Sequence, residues 1–143
     1  MADLTLFVEA QAPVYATALA ELRAGRKQTH WMWFVFPQLK ALGRSSTALH
    51  YGLHDLTEAQ SYWAHPVLGP RLKECVLAVL SVESRTAHDI FGSPDDLKFC
   101  SCLTLFERAA SEACFGNALN RFYGSRRDEA TLELLDRGEP GTR

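Results

Sequence analysis

The stretch PVLGPRLKECVLAVLSV, residues 66–82, holds the clearest periodicity in the chain. Leu68, Leu72, Val76 and Leu80 stand four apart, with Cys75 and Val79 beside them, which is the pattern of a helix with one apolar face. Such a helix cannot stand alone, because its stripe must be laid against other elements. Pro66 suits the first turn, while Pro70 fits less well and moves the expected start to Gly69. Arg71 lies at the edge of the stripe.

The other segments are shorter and are delimited by end signals. Asp3 can cap a first helix, with Leu4, Phe7 and Val8 on one face. A second runs from Pro13 to Gly25, and Thr29 can cap a short third that must end before Pro37. Ser45 or Ser46, Asp55 or Thr57, and Thr86 open three more. Ser93-Pro94-Asp95-Asp96 combines a capping serine, a proline and two acids at a helix start, with the helix reaching about Ala109. Ser111-Glu112 opens a helix ending at Gly124, and Asp128 caps the last. No strand pair or Asn-Gly hairpin signal interrupts this order. The expected fold is all-α, a single compact domain of about seven or eight short helices. It should span residues 1–136, followed by a flexible tail, RGEPGTR, over 137–143.

The 143 residues suffice for one self-supporting domain. A net charge of −2 argues against a general nucleic-acid binder, so no nucleic-acid partner is expected. No apolar run reaches the roughly 20 residues that span a bilayer, and MADLTLFVEAQ lacks the basic start of a signal peptide. A cytoplasmic location away from membranes is the expectation. Cys75, Cys100, Cys102 and Cys114 are then reduced and mostly buried. Cys100 and Cys102 do not have zinc spacing, and His50 and His54 lack a third ligand, so no metal is expected. Walker, Rossmann, HExxH and GxSxG signatures are absent, and no cofactor is expected. Without a heptad pattern, the chain should be a monomer or a weak homodimer.

Two stretches concentrate chemistry. KQTHWMWFVFPQL, 27–39, sets Trp31 and Trp33 beside Lys27, His30 and Gln38. Indole faces stack on bases, sugars or cations, and they also fill cores. DDLKFCSCLTLF, 95–106, sets Lys98 a turn from Asp95, an ordinary surface pair. It also carries Ser101 and Thr104, which either bond back to carbonyls a turn earlier or face a ligand. Arg44-Ser45 lies in a loop, and His65 lies between two helices, where it can cap the carbonyls of the first. Arg71 beside an apolar stripe needs an anion, from the protein or from a ligand. His50, His54 and His88 read as surface residues.

Several segments together resemble one family: FVEAQAPVYATALAELRAGRKQTHWMWFVFPQL, LGRS, YWAHPVLGPRLKEC, IFGSPDDLKFCSCLTLF, ALNRFYG and TLELL. They are similar to the bacterial domain-of-unknown-function family numbered 1810, some members of which carry a calpastatin-like label. The resemblance covers residues 4 to 135 and implies a single all-α domain without an assigned reaction. Its pattern falls here on Lys27, His30, Trp31, Trp33, Phe36, Pro37, Gln38, Arg44, Ser45, His65, Pro66, Gly69, Arg71, Asp95, Lys98, Ser101, Thr104 and Phe106. One departure stands out: where the family has a serine pair and methionine before Thr104, this chain keeps Ser101 but has Cys102 and Leu103. The long inhibitory repeats that the label suggests are not in this sequence. A fainter similarity links FVEAQAPVYATAL and ALNRFYGSRRDEATLELL to NADAR, or YbiA-like, proteins. That resemblance implies helical enzymes acting on N-glycosidic bonds of ribose derivatives.

The leading expectation is an aromatic pocket that binds or hydrolyses a small anionic molecule, nucleotide-like or ribose-phosphate-like. For a hydrolase of phosphate or N-glycosidic bonds, His30, Asp95 and Lys98 are the catalytic candidates, with His30 as general acid or base and Asp95 orienting it. Lys27, Trp31, Trp33, Gln38, Arg44, Ser45, His65, Arg71, Ser101 and Thr104 are the ligand-binding candidates. The alternatives are an interaction module docking through its Trp-rich segment, or a motif that only specifies packing.

Overall fold

The computed structural model describes residues 4–137. Helices α1 (Thr5–Gln11), α2 (Tyr15–Ala24) and α3 (Met32–Val35) are followed by a 3-10 turn over Lys40–Leu42. Then come α4 (Ser46–Tyr51), α5 (Leu56–Ala64), α6 (Leu68–Leu80), α7 (Ala87–Phe91), α8 (Asp95–Ala109), α9 (Ala113–Tyr123) and α10 (Glu129–Arg137). Among the described residues the fold is all-α, with one isolated parallel bridge between Leu39 and Leu53. The ten α-helices of the described residues exceed the expected seven or eight. Among the ten, α3, α4 and α7 are only four to six residues long; end signals mark them, but no 3.6-residue period confirms elements so short as separate helices.

Helix α8 is the centre. Its run Phe99, Ser101, Cys102, Leu103, Thr104, Leu105 and Phe106 is buried on every side, and α5, α7, α9 and α10 pack around it. A helix apolar all round belongs in the middle of a core rather than on its surface. Helix α6 lays Leu68, Leu72, Cys75, Val76 and Val79 inward against α2, α5 and α9, leaving Leu77 exposed. It starts at Leu68 rather than Gly69, with Pro70 in its first turn, where a missing N–H costs little. Gly69 is required by proximity: a Cβ there would lie 2.1 Å from the Trp63 carbonyl oxygen.

Most end signals act as expected. Asp55 accepts from Glu58 N, and Thr86 forms a capping box with Asp89. Gly25 and Gly124 close α2 and α9 in the left-handed conformation. Two differ. Ser93 does not cap α8; Pro94 holds that position, and the Asp96 carboxylate takes the Leu97 N–H instead. Thr29 does not cap α3, because its hydroxyl is spent on Glu21. The Asp3 cap lies outside the described residues. Arg137, expected to begin the tail, is instead the last residue of α10, and the rest of that tail, 138–143, lies outside the described residues.

Candidate functional site

The aromatic stretch is fastened by Glu21 of α2. One carboxylate oxygen accepts from Gln28 N at 2.8 Å, Thr29 N at 3.1 Å and Trp31 Nε1 at 2.9 Å. The other accepts from Thr29 Oγ1 at 2.7 Å. Partial burial pushes the Glu21 carboxyl up, but these four bonds outweigh it and bring its pKa down to about 2. The Trp31 ring is thereby drawn fully into the core, 6.1 Å from Phe36, which in turn stands edge-on to Phe91 and Phe99. Trp33, two residues on, stays half-buried at the surface.

Lys27 and Lys98 converge on Asp95. The Lys27 ammonium lies 3.0 Å from Asp95 Oδ2, donates to the Thr29 carbonyl at 2.7 Å and sits 5.0 Å above the Trp31 ring. Its side chain is only 8% exposed. Lys98 stands 3.7 Å from Asp95 Oδ1 and 5.3 Å above the Trp33 ring. Asp95 thus serves two cations, and the longer, more exposed contact belongs to Lys98.

Lys98 faces an open groove of about 520 Å³, whose polar walls are Gln38, Arg44, Ser45, Ser101 and Asp128. A narrow slot of about 10 Å³, between Met32, Trp33, Phe36 and Gly52, shares Gln38, Ala48 and Lys98 with it. Ser45 Oγ is occupied as the cap of α4, accepting from Ala48 N. Ser101 Oγ lies 3.0 Å from Asp128 Oδ2 and 3.2 Å from the Leu97 carbonyl. Thr104 donates to the Cys100 carbonyl at 2.8 Å and accepts from Asp128 N at 2.9 Å. Asp128 Oδ2 also caps α10 through Thr131. The two hydroxyls of α8 therefore bond back a turn and also lock α10 onto the groove wall. Arg44 has no hydrogen bond or ion pair to any described residue, and neither does the Gln38 carboxamide.

Other candidates lie elsewhere. His30 is exposed, bonds to no described residue and is not among the side chains lining the groove or slot. His65 Nδ1 accepts from Val67 N at 3.1 Å and Leu68 N at 3.3 Å, so it caps the helix that follows, not the one before. Arg71 turns inward, to Gln11 Oε1 at 3.3 Å and the Tyr15 ring at 5.1 Å, and lines neither groove nor slot. Gln11 itself is buried and donates to the Phe34 carbonyl and the Tyr62 hydroxyl. Glu21, Gln11 and the Asp128 wall were not among the site candidates. Only Asp128 carried a local signal, as a helix cap. Among the described residues, no group of three His, Cys, Asp or Glu side chains is placed to hold a metal, and no helix is long and apolar enough to cross a membrane.

Fold and site define a small all-α protein with a surface groove that two cations line. The chain belongs to the protein family of unknown function DUF1810, whose model matches residues 1–135. It is similar to the crystal structure of the conserved hypothetical protein Rv1873 from Mycobacterium tuberculosis, at 53% sequence identity and a TM-score of 0.93. That match covers 94% of this chain and 96% of the other. A search of curated proteins gives no match.

Proposed function

We propose that the groove binds a small phosphate-bearing molecule. The observation that carries this reading is Arg44, without a partner among the described residues, lining the same groove as Lys98. Guanidinium and ammonium groups are the usual phosphate ligands, and an unpaired arginine is free to supply a two-pronged contact. The one carboxylate on the wall, Asp128, has an oxygen already engaged by Ser101 and Thr131. The volume falls within the roughly 300–1,000 Å³ of small-molecule sites.

Binding, rather than hydrolysis, is what the geometry supports. Asp95 is already engaged by two lysines, and His30 has no partner among the described residues to orient it. Docking of a partner through the Trp-rich segment finds less support. The exposed large hydrophobic residues among those described are Leu49, Leu77 and Leu97, none of them in that segment.

Thermal denaturation of the purified protein with inorganic phosphate, ribose 5-phosphate, AMP or ADP-ribose tests the reading. ADP-ribose covers the glycosidic ligands that the NADAR resemblance suggests. A probe at a hundredfold excess over its Kd should stabilise the wild type by about 2.7 kcal/mol, and Arg44→Ala and Lys98→Ala should each reduce that gain. If no probe raises the midpoint, or both variants respond like the wild type, the groove is not a phosphate site.

A further inference from the structure

Gln38 stands where the groove meets the slot, and its surroundings ask for a particular ligand. Its backbone is pinned: its carbonyl accepts from Leu53 N at 3.0 Å, and Lys40 N two residues on donates to the Leu53 carbonyl at 2.7 Å. Gly52 makes this close approach feasible, since a Cβ there would lie 2.4 Å from Lys40 Cα. Pro37, buried, fixes the chain on the other side. The carboxamide therefore springs from a rigid point, yet it bonds to no described residue. A half-buried amide with an unused donor pair and an unused acceptor is a recognition group in waiting.

What flanks it narrows the choice. Trp33, Phe36 and Met32 line the slot beside Gln38, surfaces that suit a flat aromatic face. A carboxamide pairs two-pronged with a planar edge carrying a neighbouring donor and acceptor, as glutamine does with a nucleobase. A sugar phosphate offers hydroxyls but no such edge and no aromatic face. At about 10 Å³ the slot holds no more than a water, and Lys98, 5.3 Å above the Trp33 ring, is one of its walls. Lys98 is free to leave: its contact with Asp95 is 3.7 Å long, and Asp95 keeps Lys27 at 3.0 Å. A phosphate drawing the ammonium toward the groove would uncover the indole for a base.

From this we infer that Gln38 is the specificity-determining residue of the groove and that the ligand is a nucleoside phosphate. Its base lies against Gln38 and Trp33, and its phosphate against Lys98 and Arg44. The inference rests on the phosphate-binding reading above and adds the base to it.

Calorimetric titration of wild type and Gln38→Met with the four common nucleoside monophosphates and with ribose 5-phosphate tests it. Methionine keeps the length of the side chain and leaves the backbone bonds in place. At least one nucleotide should bind the wild type about tenfold or more tighter than ribose 5-phosphate, the scale of one two-pronged base contact. Gln38→Met should remove most of that advantage and leave ribose 5-phosphate affinity unchanged. Tryptophan emission should also respond to the nucleotide in the wild type, and lose that response in Trp33→Phe. If every nucleotide and ribose 5-phosphate bind alike, or Gln38→Met weakens all of them equally, the base is not read here and the phosphate site stands without it. If neither kind of probe binds, the phosphate reading falls as well.

Discussion

The Lys27 ammonium and Asp95 Oδ2 lie 3.0 Å apart and tie the loop after α2 to the first residue of α8. Lys27 N adds a second tie, donating to the Ile90 carbonyl of α7 at 2.7 Å. Helix α8, which this pair anchors, also carries Lys98 and Ser101 of the groove wall, so the energetics of the pair bear on the site as well as the fold.

The two lysines on Asp95 should differ in what they contribute. Lys27 is nearly enclosed, and removing one partner from a desolvated pair leaves the other charge poorly compensated. Lys98 is more exposed and more distant, and such pairs are worth about 0–1 kcal/mol. Urea unfolding of Lys27→Met should show a loss of about 1–3 kcal/mol, softened by the Lys98 charge that remains. Lys98→Met should lose less than about 1 kcal/mol. Equal, small losses would mean that the Lys27 pair is no better than a surface one.

Glu21 gives the fold an acid-sensitive fastening. Its carboxyl, ordinarily near 4.5, titrates near 2 in the fold. Between those values the unfolded chain binds more protons than the folded one, so acid erodes the stabilisation. The contribution is fully present above about pH 4.5 and is lost as pH falls toward 2. Glu21→Gln should cost about 1–3 kcal/mol at pH 7, with the gap to wild type closing over that acid window. A gap that does not change with pH would show that the charge of the carboxylate does not matter to these bonds.

At Gly69 the constraint is space rather than charge. A methyl group would meet the backbone carbonyl of Trp63 at 2.1 Å, and neither α5 nor α6 can yield without moving its partners in the core. Gly69→Ala should destabilise by about 1–3 kcal/mol or more, despite alanine's better helix propensity. A neutral or stabilising result in chemical denaturation would show that α5 and α6 can separate freely.

How much of this was legible follows from where each signal resides. The α6 stripe, the glycine ends of α2 and α9 and the Thr86 cap are local, written within a few residues, and they read correctly. Asp95 and Lys98 were readable as a pair because a helix brings residues three apart together. The role of Lys27 was not, because it depends on the loop after α2 returning to α8. Neither could the run itself say which tryptophan goes inside; that is decided by Glu21, which reaches Trp31 from another helix. Ser101 and Thr104 left two readings open, and the choice rested on Asp128, brought alongside by α10. Arg71 read as needing an anion by its charge; the partners it meets, a buried glutamine from α1 and a tyrosine ring from α2, come from elements far off in sequence.

The cysteines offer a probe of the core that surrounds the site. Burial pushes the Cys75 thiol up to about 12, and Cys102, fully enclosed in α8, also lies well above the ordinary range. Burial and then the nearby Asp128 charge raise Cys100 to about 11. The thiolate is the reactive form, so at pH 8 all three are almost wholly neutral. Cys100 alone of the four has appreciable exposure, and it lines a separate depression between α8 and the turn from α9 to α10. Labelling of the native protein with a thiol reagent at pH 8 should therefore be slow, with Cys100 modified first, and should accelerate as pH rises toward 11. In urea all four should react at the rate of free cysteine. Rapid native labelling of Cys75 or Cys102 at pH 8 would mean that the core around α6 and α8 opens far more readily than its packing implies.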